Sequence, residues 1–281
     1  MKYYIVDAFT SEPFGGNTAG VVMLEDGKDF PEDAFMQQVA AEFRYSETAF
    51  VKRHSDNEFT VRYFTGCGEV DLCGHATVAT FGVLAQTGAV PAGTMCLNHT
   101  LAGDLKVEIA EKVMMEMAPP QVLPAKVDEE RLHRIMGVED MQINLPAMVV
   151  STGLPDIMMP VQSIDELNTL NIDMDALAQL SKELGVTGVH AFAMGDDDYT
   201  AHVRNFGPLY GIPEESATGT ANAALTHYLH HNGIITAPAL CRFLQGETMG
   251  HPSTVETSLH DDGNIWVGGK SCIVAAGELL I

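Results

Sequence analysis

The stretch Glu69-Val70-Asp71-Leu72-Cys73-Gly74-His75-Ala76-Thr77 gathers carboxylates, a thiol, a glycine and an imidazole just ahead of an apolar segment of helical length. A glycine followed by His, Ala and Thr at a helix start leaves backbone N–H groups without helical partners. Together with the helix dipole they favour an anion. A related run, Glu214-Glu215-Ser216-Ala217-Thr218-Gly219-Thr220, precedes a second helix. His75 has two readings, a proton carrier or substrate contact, and a loop-bonded cap. Cys73 reads either as a thiolate activated by the helix start or as a buried, inert thiol. Glu47 lies between Tyr45-Ser46 and Thr48-Ala49-Phe50-Val51. Apolar neighbours would make a carboxyl there hold its proton longer, which suits a general acid/base, whereas a strand-end carboxylate facing water is the bland alternative. Glu214 and Glu215 could simply complement the dipole, worth about 0.3–1 kcal/mol, without excluding contact with a substrate.

Other chemistries find little support. Neither Cys67, Cys73 and His75 nor His227, His230 and His231 has a zinc spacing, so no metal is expected. Gly15-Gly16-Asn17 lacks the strand–G-x-G-x-x-G–helix context of a nucleotide loop.

The elements that would position these residues follow from periodicity. Strands are expected at 2–6, 19–24, 46–51 and 59–64, with a helix after Pro31 in the first-turn position. The helix opening at Gly74 is apolar nearly all round and should be buried, with Gly88 and Pro91 as its stop. A hairpin is expected over 104–117, then a linker at Ala118-Pro119-Pro120-Gln121-Val122-Leu123-Pro124. The second half offers helices near 128–136 and 173–184 and from Thr218, and strands at 147–152, 157–161, 189–194 and 199–206. Strand-like material closes the chain over 265–281. The expected division is 1–118, completed by a strand near 270–281, and 119–269. The halves echo each other. Val61-Arg62-Tyr63-Phe64 matches Val203-Arg204-Asn205-Phe206, and Glu69, Cys73, Gly74, His75 and Gly88 fall on Glu214, Thr218, Gly219, Thr220 and Gly233. Two such domains would bring their helix starts to the gap between them, a common place for a ligand.

The chain has 281 residues, 38 acids against 15 Lys and Arg, and a formal net charge of −23. Such a surface argues against nucleic acid and anionic membranes, so an anionic substrate would need backbone N–H groups, His or local cations. The start MKYYIVDAF lacks the apolar core of a signal peptide, no apolar run is long enough to span a bilayer, and the five cysteines form no CxxC pair. A cytoplasmic protein with reduced thiols is the expectation.

The stretches VDAFTSEPFGGNTAGVV at 6–22, SETAFV at 46–51 and VRYFTGCGEVDLCGHATVAT at 61–80 carry a resemblance to a known family. STGLPDIMMPV at 151–161 and VRNFGPLYGIPEESATGTANAAL at 203–225 extend it. In these the chain resembles the PhzF family, the phenazine-biosynthesis-like proteins of the diaminopimelate epimerase-like fold. The resemblance implies an α+β protein of two similar domains, each a strongly curved, mostly antiparallel sheet around a central helix. It implies a cofactor-independent isomerase, often a homodimer, acting on a dihydro-hydroxyanthranilate or related small acid. Glu47 would be the general acid/base and His75 would contact substrate and help move the proton. Asn17, the backbone at Gly74 and Gly219, Glu215 and Thr220 would position the ligand. The family pattern E-D-P-x-T-G-S reads Glu214-Glu215-Ser216-Ala217-Thr218-Gly219-Thr220 here, so the acid is one methylene longer and Thr replaces Ser. A two-base epimerase or racemase needs paired thiols, and the partner position of Cys73 is Thr218, whose hydroxyl is too weak a base. A pairing of Glu47 with Cys73, or a non-catalytic metabolite binder, remains an alternative.

Overall fold

The computed structural model describes residues 1–138, 145–196 and 198–280. In chain order its elements begin with β1 (Lys2–Ala8), β2 (Asn17–Met23), α1 (Asp33–Phe43), β3 (Thr48–Arg53), β4 (Glu58–Phe64), β5 (Glu69–Val70) and α2 (Gly74–Gln86). β6 (Thr94–Thr100), β7 (Gly103–Ile109), β8 (Val113–Glu116), β9 (Gln121–Val122), α3 (Glu129–Met136), β10 (Met148–Ser151) and β11 (Pro155–Pro160) follow. Then come α4 (Ile164–Thr169), α5 (Met174–Leu184), β12 (Val189–Met194), β13 (Ala201–Gly207), β14 (Ile212–Glu215) and α6 (Gly219–His231). β15 (Ala239–Gln245), β16 (Ser253–Leu259), β17 (Ile265–Gly269) and β18 (Ser271–Glu278) end the chain. Ile281, the end of the expected closing strand material, lies outside the described residues. The chain forms two compact units, Met1–Glu116 with Gly268–Ile281, and Met117–Val267.

In the first unit the neighbours run β18, β1, β2, β3, β4, β6, β7, β8, parallel only at β2–β3 and β4–β6, with β5 also on β4. β18 lies antiparallel on β1, from Lys2 opposite Glu278 to Ala8 opposite Ser271. The sheet packs on α2 through β1, β2, β3, β7, β8 and β18, and residues His75 to Leu84 of that helix are all buried. Such enclosure requires the helix to be apolar on every side, and it is. α1 closes the outer side, where Met36, Val39 and Ala40 pack with Val22, Phe50 and Phe64. It begins at Asp33, not at Pro31, because Glu32 is still extended with ψ of 145°.

The second unit repeats the scheme. Its neighbours run β9, β10, β11, β12, β13, β15, β16, parallel only at β11–β12 and β13–β15, with β14 on β13. α6 packs on β10, β11 and β16, and its buried face includes Ala221, Ala224, Leu225, Tyr228 and Leu229. The stretch read as a linker contributes β9, where Val122 sits opposite Val150. Parallel neighbours need a crossover, supplied by α1 and α2 in the first unit and by α4 with α5 and by α6 in the second. No helix among the described residues is long and apolar enough to cross a membrane.

Candidate active site

Asn17 stands at the first position of β2 because the chain turns sharply just before it. Gly16 has φ of +72°, and a Cβ there would lie 2.2 Å from the Ala8 carbonyl oxygen, so only glycine fits. Glu47 immediately precedes β3, held by its carbonyl accepting the Gly20 N–H at 3.2 Å. Cys73 is the extended residue before α2, with φ of −139°, and Gly74 and His75 open the helix.

These elements bring Asn17, Glu47, Cys73, Gly74 and His75 together. His75 Nδ1 lies 3.3 Å from Asn17 Nδ2 and 3.4 Å from Cys73 Sγ. His75 Nε2 lies 3.2 Å from Ser46 Oγ and 3.2 Å from Glu47 Oε2. His75 is therefore no helix cap, since its ring reaches back to β2 and to the approach to β3. The Glu47–His75 contact has an ion-pair distance but poor hydrogen-bond geometry, so Glu47 Oε2 is shielded from water and accepts no hydrogen bond among the described residues. Ser46 joins the constellation without standing out in the sequence; its adjacency to Glu47 is the only signal there.

Burial alone would push the Glu47 carboxyl up, but the facing His75, with Ser46 and Cys73, outweighs it and leaves Glu47 below the ordinary 4.5. The expectation of a carboxyl raised by apolar neighbours is thus reversed, because the imidazole beside it is distant in sequence. Burial likewise opposes the charged form of His75, and Cys73 and Glu47 override it and hold the ring well above 6.5. Cys73 itself is pushed up to about 11, by burial first and then by the Glu47 charge. It is a neutral thiol at neutral pH. The activated-thiolate reading of Cys73 does not fit this environment.

The second unit collects Glu215, Gly219 and Thr220 around the start of α6. Thr218 Oγ1 donates to Glu215 Oε2 at 2.6 Å, and its backbone N–H donates to Gln245 Oε1 at 3.0 Å. Gln245 Nε2 donates to the Glu215 carbonyl at 2.8 Å, and Asn222 Nδ2 donates to Gln245 Oε1 at 2.8 Å. The Thr220 carbonyl accepts from Thr152 Oγ1 at 2.9 Å. Behind these, His190 is sandwiched between Asn205 and Asn222, each 3.3 Å from a ring nitrogen, and burial pushes the ring down to about 3. It is a neutral, structural histidine. Asp156 on β11 is wholly buried and pushed up to about 7 by burial and then by the Glu215 charge, and its Oδ1 has no hydrogen-bond partner among the described residues. Asn222, Gln245 and Asp156 were not foreseen. The internal register does place Asn222 on Thr77, a residue that likewise bonds back to the helix start.

The chain and its fold are matched among known proteins. The model of the PhzC-PhzF family, described as phenazine biosynthesis-like protein, matches residues 6–277. The chain belongs to the PhzF family. An uncharacterized isomerase of Deinococcus radiodurans is 36% identical over 294 residues, covering 98% of this chain and 94% of that protein. The uncharacterized isomerase YddE of Escherichia coli K12 is 34% identical over 296 residues, covering 100% of this chain and 98% of its own. Among solved structures, a PhzF-family phenazine biosynthesis protein of Bacillus anthracis has a TM-score of 0.88 at 27% identity, covering 100% of this chain and 99% of its own. A probable proline racemase of Agrobacterium radiobacter K84, at 13% identity and a TM-score of 0.62 over 100% of this chain and 93% of its own, shares the fold. This PhzF chain is an isomerase, of an epimerase-like α+β fold.

Proposed function

We propose that this PhzF-family isomerase moves a proton between two carbons of a small cyclic or amino-acid-like anion, with Glu47 as its one acid/base. The observation that carries this reading is Glu47 Oε2, a carboxylate oxygen shielded from water, engaged in no hydrogen bond among the described residues, and 3.2 Å from His75 Nε2. At neutral pH Glu47 is ionised and ready to accept a proton. It breaks one C–H bond of the substrate, carries the proton while the double bond shifts, and returns it to a second carbon. His75 keeps its protons throughout and steadies the carboxylate whenever it is ionised. Asn17 orients the ring, and the N–H groups around Gly74 hold an anionic group.

A second base is not needed. Thr218 occupies the place of a second thiol and already donates its hydroxyl to Glu215, and Cys73 is too poor an acid to supply a thiolate. No cofactor takes part in this scheme; the homodimer and the cytoplasmic setting belong to the same proposal, and light scattering tests the dimer. The reaction is tested by incubation in D2O with a dihydro-hydroxyanthranilate, other cyclic acids and α-amino acids. A product whose double bond has moved, with either the substrate's own hydrogen or solvent deuterium at the new carbon, supports the reading. Deuterium at an α-carbon with loss of chirality would replace it by epimerisation, and binding without conversion would make the protein a metabolite binder.

A further inference from the structure

One donor atom from each of Glu47, Cys73 and His75 lies within 4.8 Å of the other two. Around His75 Nε2 the spacing is tighter, with Glu47 Oε2 at 3.2 Å and Cys73 Sγ at 3.8 Å. A tetrahedral zinc ion bound by N, O and S donors at about 2.0–2.3 Å holds them about 3.3–3.6 Å apart. The donors are thus close to coordination spacing, and a swing of the carboxylate closes the remaining edge. All three groups are sheltered, with side-chain exposures of 16% for Glu47 and 4% for His75 and a residue exposure of 7% for Cys73. Asn17 stands behind Nδ1 at 3.3 Å, and with its amide turned over Oδ1 accepts the Nδ1–H of a ring bound through Nε2. That is the outer contact by which proteins hold a metal-bound imidazole. Chain spacing conceals the set, because Glu47 is brought to Cys73 and His75 only by folding.

We propose that Glu47, Cys73 and His75 form a three-ligand site for a thiophilic divalent cation such as Zn2+, and that its occupancy switches the isomerase off by engaging the carboxylate that must take the substrate proton. The switch rests on the acid/base role of Glu47; the binding site does not. Binding exchanges the Cys73 thiol proton for the metal, with the proton released to solvent.

The binding test titrates Co2+ into chelator-treated, full-length protein and reads the thiolate-to-cobalt charge-transfer band. One saturable equivalent is expected, displaced by Zn2+ and weakened at least about tenfold in Glu47→Gln. The band should vanish in Cys73→Ser, with near-ultraviolet circular dichroism verifying the fold, and persist in Cys67→Ser, whose thiol is exposed. No band at saturating Co2+, or a band lost with Cys67→Ser and kept in Cys73→Ser, overturns the site. In the deuterium-exchange assay, Zn2+ should remove turnover in proportion to occupancy and a chelator should restore it. Full turnover at full occupancy, or turnover that requires the metal, overturns the switch. Exchange by metal-free protein, and its loss in Glu47→Gln, tests the acid/base role separately.

Discussion

The two units share a plan down to individual side chains and differ in where they place charge. Arg62 grips Glu69 through two bonds of 2.7 and 2.6 Å and lies over Phe64 at 5.2 Å. Arg204 grips Glu214 through two bonds of 2.8 Å and lies over Phe206 at 4.9 Å. Thr77 Oγ1 bonds to the Cys73 carbonyl at 2.7 Å, and Asn222 Nδ2 bonds to the Thr218 carbonyl at 2.9 Å. At the helix starts the likeness ends. The first unit sets an imidazole against a carboxylate, whereas the second ties the Glu215 carboxylate, the Thr218 hydroxyl, the amides of Asn222 and Gln245 and a neutral His190 into one network. A duplicated scaffold can thus keep its backbone chemistry in both copies while setting a carboxylate against an imidazole in only one.

The sharpest way to break this contrast is Glu47→Gln. It should lower kcat about 10²–10⁴-fold, the usual worth of a positioned acid/base, with circular dichroism unchanged. A folded and active variant would sink the role assigned to Glu47. Next in size is Asp156→Asn. A wholly buried carboxyl whose pKa rises from 3.8 to about 7 contributes stability below 3.8 that is lost as pH climbs through about 7. The amide has no such loss, so the variant should be more stable by roughly 4–5 kcal/mol at pH 8 in denaturant titrations, each pH unit between the two pKa values being worth about 1.4 kcal/mol. That gain should vanish near pH 4. In the same variant the His190 liability is exposed. A histidine lowered from 6.5 to about 3 contributes stability above 6.5 that drains away as pH falls, by up to about 1.4 kcal/mol per pH unit.

Asn222→Leu should cost about 2–3 kcal/mol, because it leaves the His190 Nε2–H and Gln245 Oε1 without this partner. A cost near zero would mean that the network of the second unit is not joined as described. The smallest effect is that of the ion pair on stability. Glu47, lowered from 4.5, stabilises above that value and loses its contribution as pH falls through its folded pKa. His75, raised above 6.5, stabilises below that value and loses its contribution as pH rises through its folded pKa. The pair is therefore worth most between pH 4.5 and 6.5. Wild type minus Glu47→Gln stability should peak in that window.

The helix starts at Gly74 and Gly219 and the Val61–Phe64 echo were legible in the sequence because they rest on local patterns: glycine, helix length and strand alternation. β6, β15, β16 and α4 were not foreseen. In β6 and β16 the inward positions carry Asn98, Ser253 and Thr257, all buried, and in β15 Leu240 points outward at 80% exposure, so alternation was blurred. Asn98 and Thr257 face inward because hydroxyls of Tyr63 and Thr226 receive them, pairings invisible along the chain. The same limit explains the candidate site. Glu47 and His75 could each be singled out by type, yet their mutual electrostatics depend on β3 and α2 being neighbours, and this reversed the expected direction of the Glu47 pKa.

Ring-nitrogen NMR of histidine-labelled protein, assigned with His75→Asn and His190→Asn, tests the contrast between a charged histidine in the first unit and a neutral one in the second. At pH 7 His75 should be doubly protonated and should become neutral in Glu47→Gln, while His190 keeps a single proton on Nε2 throughout the range of stable fold. A neutral His75 at pH 7, or a His190 that titrates near 6.5, would contradict the account.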